Sequence, residues 1–280
     1  MRTVSVTDVG WKARQLLADA EGPPVVLTRL SRSVYLEIAG DIVWLGPPGA
    51  TLHGRAIIAD VPDLGGGSDT IAGLDLSAAR EWSPAALPRG IGAAAMAGAA
   101  AQLACRATGV GRPDGFGALL VGALPAFPLS HAADDALKFL AACGAGDANA
   151  AAVLGERLLG LGPGLTPAGD DLVGGAFFAR RLLVDVGAVD PTPWRRATTV
   201  IHARARERTH RISAALLGDL LEGAAYAPLH DLAAALAAGD GATALDAATR
   251  LVAIGHSSGW DMLTGFLTTL APEVRGTAPA

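Results

Sequence analysis

The chain has 280 residues, a net charge of −5 and a pI near 5.6, so it lacks the basic excess of a general nucleic-acid or anionic-membrane binder. It is 51% hydrophobic but only 5% aromatic; its core must be built from Ala, Leu and Val, which suits helices that approach closely. Mean hydropathy is high, at +0.37, yet the most apolar stretches, Gly90–Cys105 and Leu263–Pro272, are short or dominated by Ala and Gly and fall below the roughly 20 apolar residues of a membrane span.

At the N-terminus, Arg2, Asp8, Lys12 and Arg14 interrupt any apolar signal core, so the expected location is the cytoplasm. A short helical segment is predicted around Asp8–Ala20. The β-branched runs Val25–Leu30, Val34–Ile38, Ile42–Leu45 and Arg55–Ala59 then read as strands separated by Gly and Pro turns. His53 and Arg55, at the start of the last run, are either a pair for an anionic group or a turn residue and a surface charge. Asp63–Asp69, with three consecutive glycines, reads as a loop.

From about Gly90 the pattern becomes helical. Gly90–Thr108 predicts a small-residue helix, followed by a Gly-rich stretch and an apolar run to Ala126. Further helices are predicted at Ala132–Cys143, Asp147–Leu159, Gly169–Val186, Trp194–Arg208, Ile212–Glu222, Leu229–Ala238, Ala242–Ala253 and Gly259–Leu270. The class is α+β: a β-rich part over 1–89 packed on a larger helical part over 90–280. Cys105 and Cys143, both in Ala-rich helical sequence, read as buried reduced thiols rather than a disulfide.

The helical part contains a repeated pattern. Gly146-Asp147 precedes Arg157-Leu158 and Leu161-Gly162; 93 positions on, Gly239-Asp240 precedes Arg250-Leu251 and Ile254-Gly255. Gly169, Asp171 and Gly175 then correspond to Gly259, Asp261 and Gly265 at an offset of 90, because the first loop is three residues longer. This is either a coincidence in an Ala/Gly-rich chain or a duplicated helix-loop-helix unit. A duplication about a pseudo-two-fold axis would bring both Asp-bearing loops to one cleft.

Gly162-Pro163-Gly164-Leu165-Thr166-Pro167-Ala168-Gly169 feeds directly into a helix. Its unpaired N–H groups, helped by the Thr166 hydroxyl, could take an anion. It lacks the Gly-Lys-Ser/Thr ending of a P-loop and the dinucleotide fingerprint. Three readings of Asp170-Asp171 stand open: capping of the first helical turn, Mg²⁺ held between Asp171, Asp261 and a phosphate, and direct hydrogen bonding to a substrate N–H₂. Nothing in the sequence requires a resident cofactor or metal, and Mg²⁺ is the one cation the acidic loops suggest. His256, in Gly-His-Ser-Ser-Gly, is a candidate acid/base or oxyanion donor, with Ser257, Ser258 and Gly259 beside it. It is equally a satisfied structural histidine. No nucleophile elbow is present. The arginines from Arg195 to Arg211, with His202 and His210, form either a solvated face or a basic strip facing a ligand or subunit.

Gly-Leu-Gly-Pro-Gly-Leu-Thr-Pro-Ala-Gly-Asp-Asp-Leu-Val-Gly-Gly, at Gly160–Gly175, resembles the signature of a bacterial family that includes the oxamate carbamoyltransferase subunit of anaerobic allantoin degradation. Ile254–Gly265 and the Thr-x-x-x-Ser-x-x-Leu-Leu segment at Thr209–Leu217 resemble further elements of that family. His210 and Trp260 depart from it, where members more often carry smaller residues. The resemblance implies an enzyme subunit acting on oxamate or a related small amide or acid with carbamoyl phosphate, within a complex or homo-oligomer. In that reading the Gly162–Gly169 loop and Thr166 hold phosphate or carboxylate, Asp170 or Asp171 binds N–H₂, and His256 moves a proton or stabilises the carbonyl oxygen. Two alternatives are a non-catalytic metabolite-binding partner subunit and an ATP- and Mg²⁺-dependent enzyme on a small carboxylate.

Overall fold

A computed structural model describes residues 2–59, 71–87 and 92–274. The predicted loop Asp63–Asp69 lies outside the described residues. The chain divides into two compact units, Met1–Ala85 and Ala86–Ala280, the first β-rich and the second helical. The class is α+β.

In the first unit, strands β1 (Arg2–Gly10), β2 (Val25–Arg29), β3 (Val34–Ile38), β4 (Asp41–Gly46), β5 (Ala56–Ala59) and β6 (Ile71–Asp75) form a sheet in the order β2-β3-β4-β5-β1-β6. A short β7 (Arg80–Trp82) pairs in parallel with the last residues of β1. Period-two alternation places Val34, Leu36 and Ile38 in one core with Val43, Leu45, Ile57, Val4, Val6 and Val9. β1 corrects the sequence reading, which began a helix at Asp8. Asp8 and Val9 pair with Ile58 and Ile57, and helix α1 starts only at Trp11 (Trp11–Ala18). The close approach at the turn into α1 needs the glycine at position 10, because a Cβ there would lie 2.2 Å from the His53 carbonyl oxygen.

The second unit contains α2 (Ala93–Ala104), a single turn α3 (Gly117–Leu120), α4 (Ala133–Ala145), α5 (Ala148–Leu158), α6 (Ala168–Asp185), α7 (Pro191–Arg208), α8 (Arg211–Glu222), α9 (Ala227–Ala238), α10 (Gly241–Val252) and α11 (Ser258–Leu270). Helix α6 is central. Its Leu172, Val173, Ala176 and Phe177 enter one apolar cluster with α4, α5, α7 and α8. Its Phe178, Ala179, Leu182 and Leu183 enter a second with α2, α9, α10 and α11. Each large side chain so buried contributes about 1.5–3 kcal/mol of transfer free energy. Cys143 is buried but Cys105, at the end of α2, is exposed, which corrects the expectation for Cys105; neither is in a disulfide. No described helix is long and apolar enough to cross a membrane.

The repeated sequence pattern has matching features in the backbone. Helices α4 and α9 both end on a left-handed glycine, Gly146 and Gly239, and the next residue, Asp147 or Asp240, caps α5 or α10 with its side chain. A Cβ on Gly169 would lie 1.9 Å from the Leu158 carbonyl oxygen, and one on Gly259 would lie 1.9 Å from that of Leu251. Where α6 and α11 cross, the contacts are reciprocal. A Cβ on Gly175 would lie 2.2 Å from Met262 O, and one on Gly265 would lie 2.2 Å from Leu172 O. Leu172 and Met262 are themselves counterparts, so the two helices meet backbone to backbone at equivalent positions.

Candidate functional site

The crossing of α6 and α11 sets the starts of both helices side by side. The hydroxyls of Thr166 and Ser258, one from each loop, are 2.9 Å apart. Just inside them lie Asp171 and Asp261, both buried, each with an Oδ2 that has no hydrogen-bond partner. The remaining oxygen of Asp261, Oδ1, accepts from the Phe116 N–H at 2.6 Å.

Burial raises the pKa of Asp171 well above the carboxylate range, and the neighbouring Asp261 raises it further; the hydroxyls of Ser258 and Thr166 oppose the shift only in part. Burial likewise pushes Asp261 up to about 8, against hydrogen bonds from Phe116 and Ser257. At neutral pH Asp261 is therefore largely protonated, and burial beside it shifts Asp171 towards the protonated form. A carboxyl in that state offers an O–H donor and a C=O acceptor side by side.

Asp170 is also buried, but it is fully engaged. Its Oδ1 accepts from Gly160 N at 2.8 Å, and its Oδ2 accepts from Thr209 Oγ1 at 2.5 Å and Ser213 Oγ at 2.6 Å. The structure gives the two adjacent acids different surroundings: Asp170 ties the loop to the start of α8, while Asp171 faces Asp261. Thr209 and Ser213 place both hydroxyls on Asp170, the first from the extended residue that ends α7 and the second from the first turn of α8.

The N–H at the start of each helix is closed internally, Gly169 to Leu161 O at 2.9 Å and Gly259 to Ile254 O at 3.1 Å. The N–H groups of Asp170 and Asp171 bond to Pro167 O. The helix start itself therefore has few donors left. Further out, the N–H groups of Gly162, Gly164, Leu165 and Thr166 make no hydrogen bond among the described residues. Gly162 and Gly164 reach this open arrangement through φ values of +113° and +95°.

His256 lies at the rim, with a side chain 92% exposed and its Nε2 3.3 Å from Asp114 Oδ2. Ser257 and Gly259 are in the α11 turn, and Ser257 O accepts from Asp261 N. His53 and Arg55 belong to the β-rich unit and are buried, unlike the surface charge expected. Arg55 Nη1 donates to Asp41 Oδ1 at 2.7 Å and to Ile42 O at 3.0 Å. Burial raises the pKa of Asp41, but the Arg55 charge and the Ile42 N–H outweigh it and hold the carboxylate low. Arg204 and Arg208 face Glu156 at 3.4 and 3.3 Å, as a solvated face with local acids would.

The sequence reading missed the strip 114–117. A Cβ on Gly115 would lie 2.4 Å from Asp261 Oδ1, and Gly117 lies against the Trp260 ring. Gly115 and Asp114 also line a cavity of about 580 Å³. The one sequence signal here is the Asp-Gly turn pair, which is too common to mark a site. Among the described residues, no group of three or more His, Cys, Asp or Glu is gathered as a metal site.

Residues 158–270 match the family model described as oxamate carbamoyltransferase subunit AllH. Over this segment the chain is similar to the AllH family. The segment spans α6 to α11 and so contains both Asp-bearing loops and Thr209–Ser213; Phe116 and Gly115 lie outside the matched AllH residues. No curated protein and no solved structure matches the chain.

Proposed function

We propose that the chain acts within a carbamoyltransferase complex and binds, between its two repeated loops, a small molecule bearing an anionic group and a primary amide or carbamoyl group. One observation carries this reading: two buried carboxyls at equivalent positions, each with an oxygen that lacks a partner, beneath a loop with open N–H groups. A protonated carboxyl and a primary amide are complementary. The acid O–H donates to the amide carbonyl, and the amide N–H donates to the acid carbonyl. Carbamoyl phosphate and oxamate both combine such a group with negative charge, and the AllH match supports this choice.

In this reading the N–H groups of Gly162–Thr166 hold the phosphate or carboxylate, with Thr166 and Ser258 between the two groups. Asp171 receives the amide or carbamoyl end and Asp261 sets its protonation. Transfer to an amide nitrogen needs alignment and stabilisation of developing charge more than a covalent nucleophile. Asp170 holds the loop, and His256 with Asp114 stands at the entrance. A partner chain supplies the rest of the site.

Calorimetric titration with carbamoyl phosphate, oxamate, phosphate and ATP, each with and without Mg²⁺, tests the reading. Saturable binding of carbamoyl phosphate or oxamate, lost in Asp171→Leu, which removes both the donor and the acceptor, is the expected result. Binding at 100 times Kd also stabilises the fold by about 2.7 kcal/mol, which a thermal scan resolves. Binding of ATP only with Mg²⁺ would replace the proposal with a nucleotide-dependent enzyme. Binding without turnover, even with partner chains present, would make the chain a metabolite-sensing subunit.

A further inference from the structure

A second polar site lies further along α6. Arg180 and Trp194 are 6% and 4% exposed, and the guanidinium carbon sits 5.1 Å from the centre of the indole ring. Arg180 Nη2 donates to the carbonyls of Cys143 and, at 2.8 Å, Gly144, closing the end of α4. Neither partner is a carboxylate. Arg180 Nε and Trp194 Nε1 are both buried N–H donors without an acceptor. Such orphans are uncommon in folded proteins, and two on adjoining residues point to a missing shared acceptor.

Both residues line a cavity of about 410 Å³ between α6, α7 and α8. Arg181 and Arg195 line the same cavity. Its acids are already engaged, Asp185 with Arg181 at 2.9 Å and Glu222 within the protein. Burial pulls the pKa of the Arg180 guanidinium below its ordinary range, as expected for a buried cation lacking a counter-charge. Asp171 is nine residues away along α6, about 14 Å at 1.5 Å per residue, too far for one small ligand to touch both.

We infer that the cavity between α6, α7 and α8 is a binding site for a small oxyanion, a carboxylate or a phosphate, which accepts from Arg180 Nε and Trp194 Nε1 and is attracted by Arg195 at its mouth. The site is separate from the Asp171–Asp261 pair, so its occupancy offers the helical unit a second metabolite input.

The test is an NMR titration of the full chain, labelled at its tryptophan indoles, with inorganic phosphate in one arm and acetate and oxalate in the other. The indole N–H signal missing in Trp194→Phe is that of Trp194, and it should shift saturably in at least one arm. The arm that saturates at lower concentration identifies the anion class. Trp194→Phe keeps the ring over Arg180 but removes the donor, and should weaken binding, measured calorimetrically, about tenfold, as for loss of one buried hydrogen bond to a charged group. Arg195→Gln, at an exposed position, should also weaken binding, whereas Asp171→Asn should leave it unchanged. An unmoved Trp194 signal in both arms, equal affinity in Trp194→Phe and Arg195→Gln, or loss of binding in Asp171→Asn would each overturn the inference. The two donors would then be satisfied by water alone.

Discussion

The two halves of the helical unit share a scaffold and differ at the residue before the paired acid. Asp170 in the first half accepts three hydrogen bonds and ties its loop to α8. Its counterpart in the second half, Trp260, is buried against Gly117 instead. The glycines that fix the helix crossing recur in both halves, as do Asp171 and Asp261. The repeated residues therefore build the crossing and the acid pair. The unrepeated ones attach each loop to a different neighbour.

Breaking the shared crossing should have the largest effect. Gly175→Ala or Gly265→Ala would push a methyl into a carbonyl of the facing helix, and neither backbone can yield without opening the contact. Each should destabilise by about 3 kcal/mol or more, seen as a large fall in the urea midpoint. Gly98→Ala, inside α2 with open space around it, should instead raise the midpoint, by about 0.5–1 kcal/mol. Equal losses at Gly98 and Gly175 would refute the packing argument.

Next comes the contrast between adjacent acids. Asp170→Ala strands two hydroxyls and a backbone N–H and should cost about 2–4 kcal/mol. Asp171→Asn and Asp261→Asn, at carboxyls whose burial disfavours the charged form, should leave the midpoint equal or higher. An Asp171→Asn variant as unstable as Asp170→Ala would show that the two positions are alike.

The pH dependence sharpens the same contrast. The folded-state pKa of Asp261, about 8, exceeds its unfolded value, so folding is favoured by proton uptake. Stability from this group is present below about pH 4 and is lost as pH rises towards 8. His230 acts oppositely. Burial lowers its pKa to about 4, and its Nε2 accepts from Ala225 N, so stability is lost as pH falls from 6.5 towards 4. Thermal scans of Asp261→Asn should show a flatter decline between pH 6.5 and 8 than wild type, and an unchanged slope would place the titration elsewhere. Smallest of all, His256→Ala should leave the melting midpoint unchanged, because that side chain is almost wholly exposed.

Much of this was legible from the residues. Helical spacing located α4 to α11 within a few positions, since each carries a long apolar stripe or a Gly or Asp boundary. The acid pair was legible because the repeat aligned Asp171 with Asp261. β6 and β7 were not, being short strands that exist through pairing with β1 rather than through their own pattern. The covering role of Gly115 and Phe116 was hidden for a similar reason: it depends on a contact across 145 positions of sequence. Arg180 and Trp194 carried no motif at all, and only packing shows that both lack an acceptor.

The hydrogen bonds from Gly169 to Leu161 O and from Gly259 to Ile254 O close rings of unequal size over equivalent anchor points. The three extra residues of the first loop are taken up between fixed ends, and neither helix shifts to accommodate them. Loop length is thereby uncoupled from helix position. Such a chain can enlarge or shrink what it grips by changing the count of residues between Leu161 and Gly169 while the acid pair stays where the glycine crossing holds it.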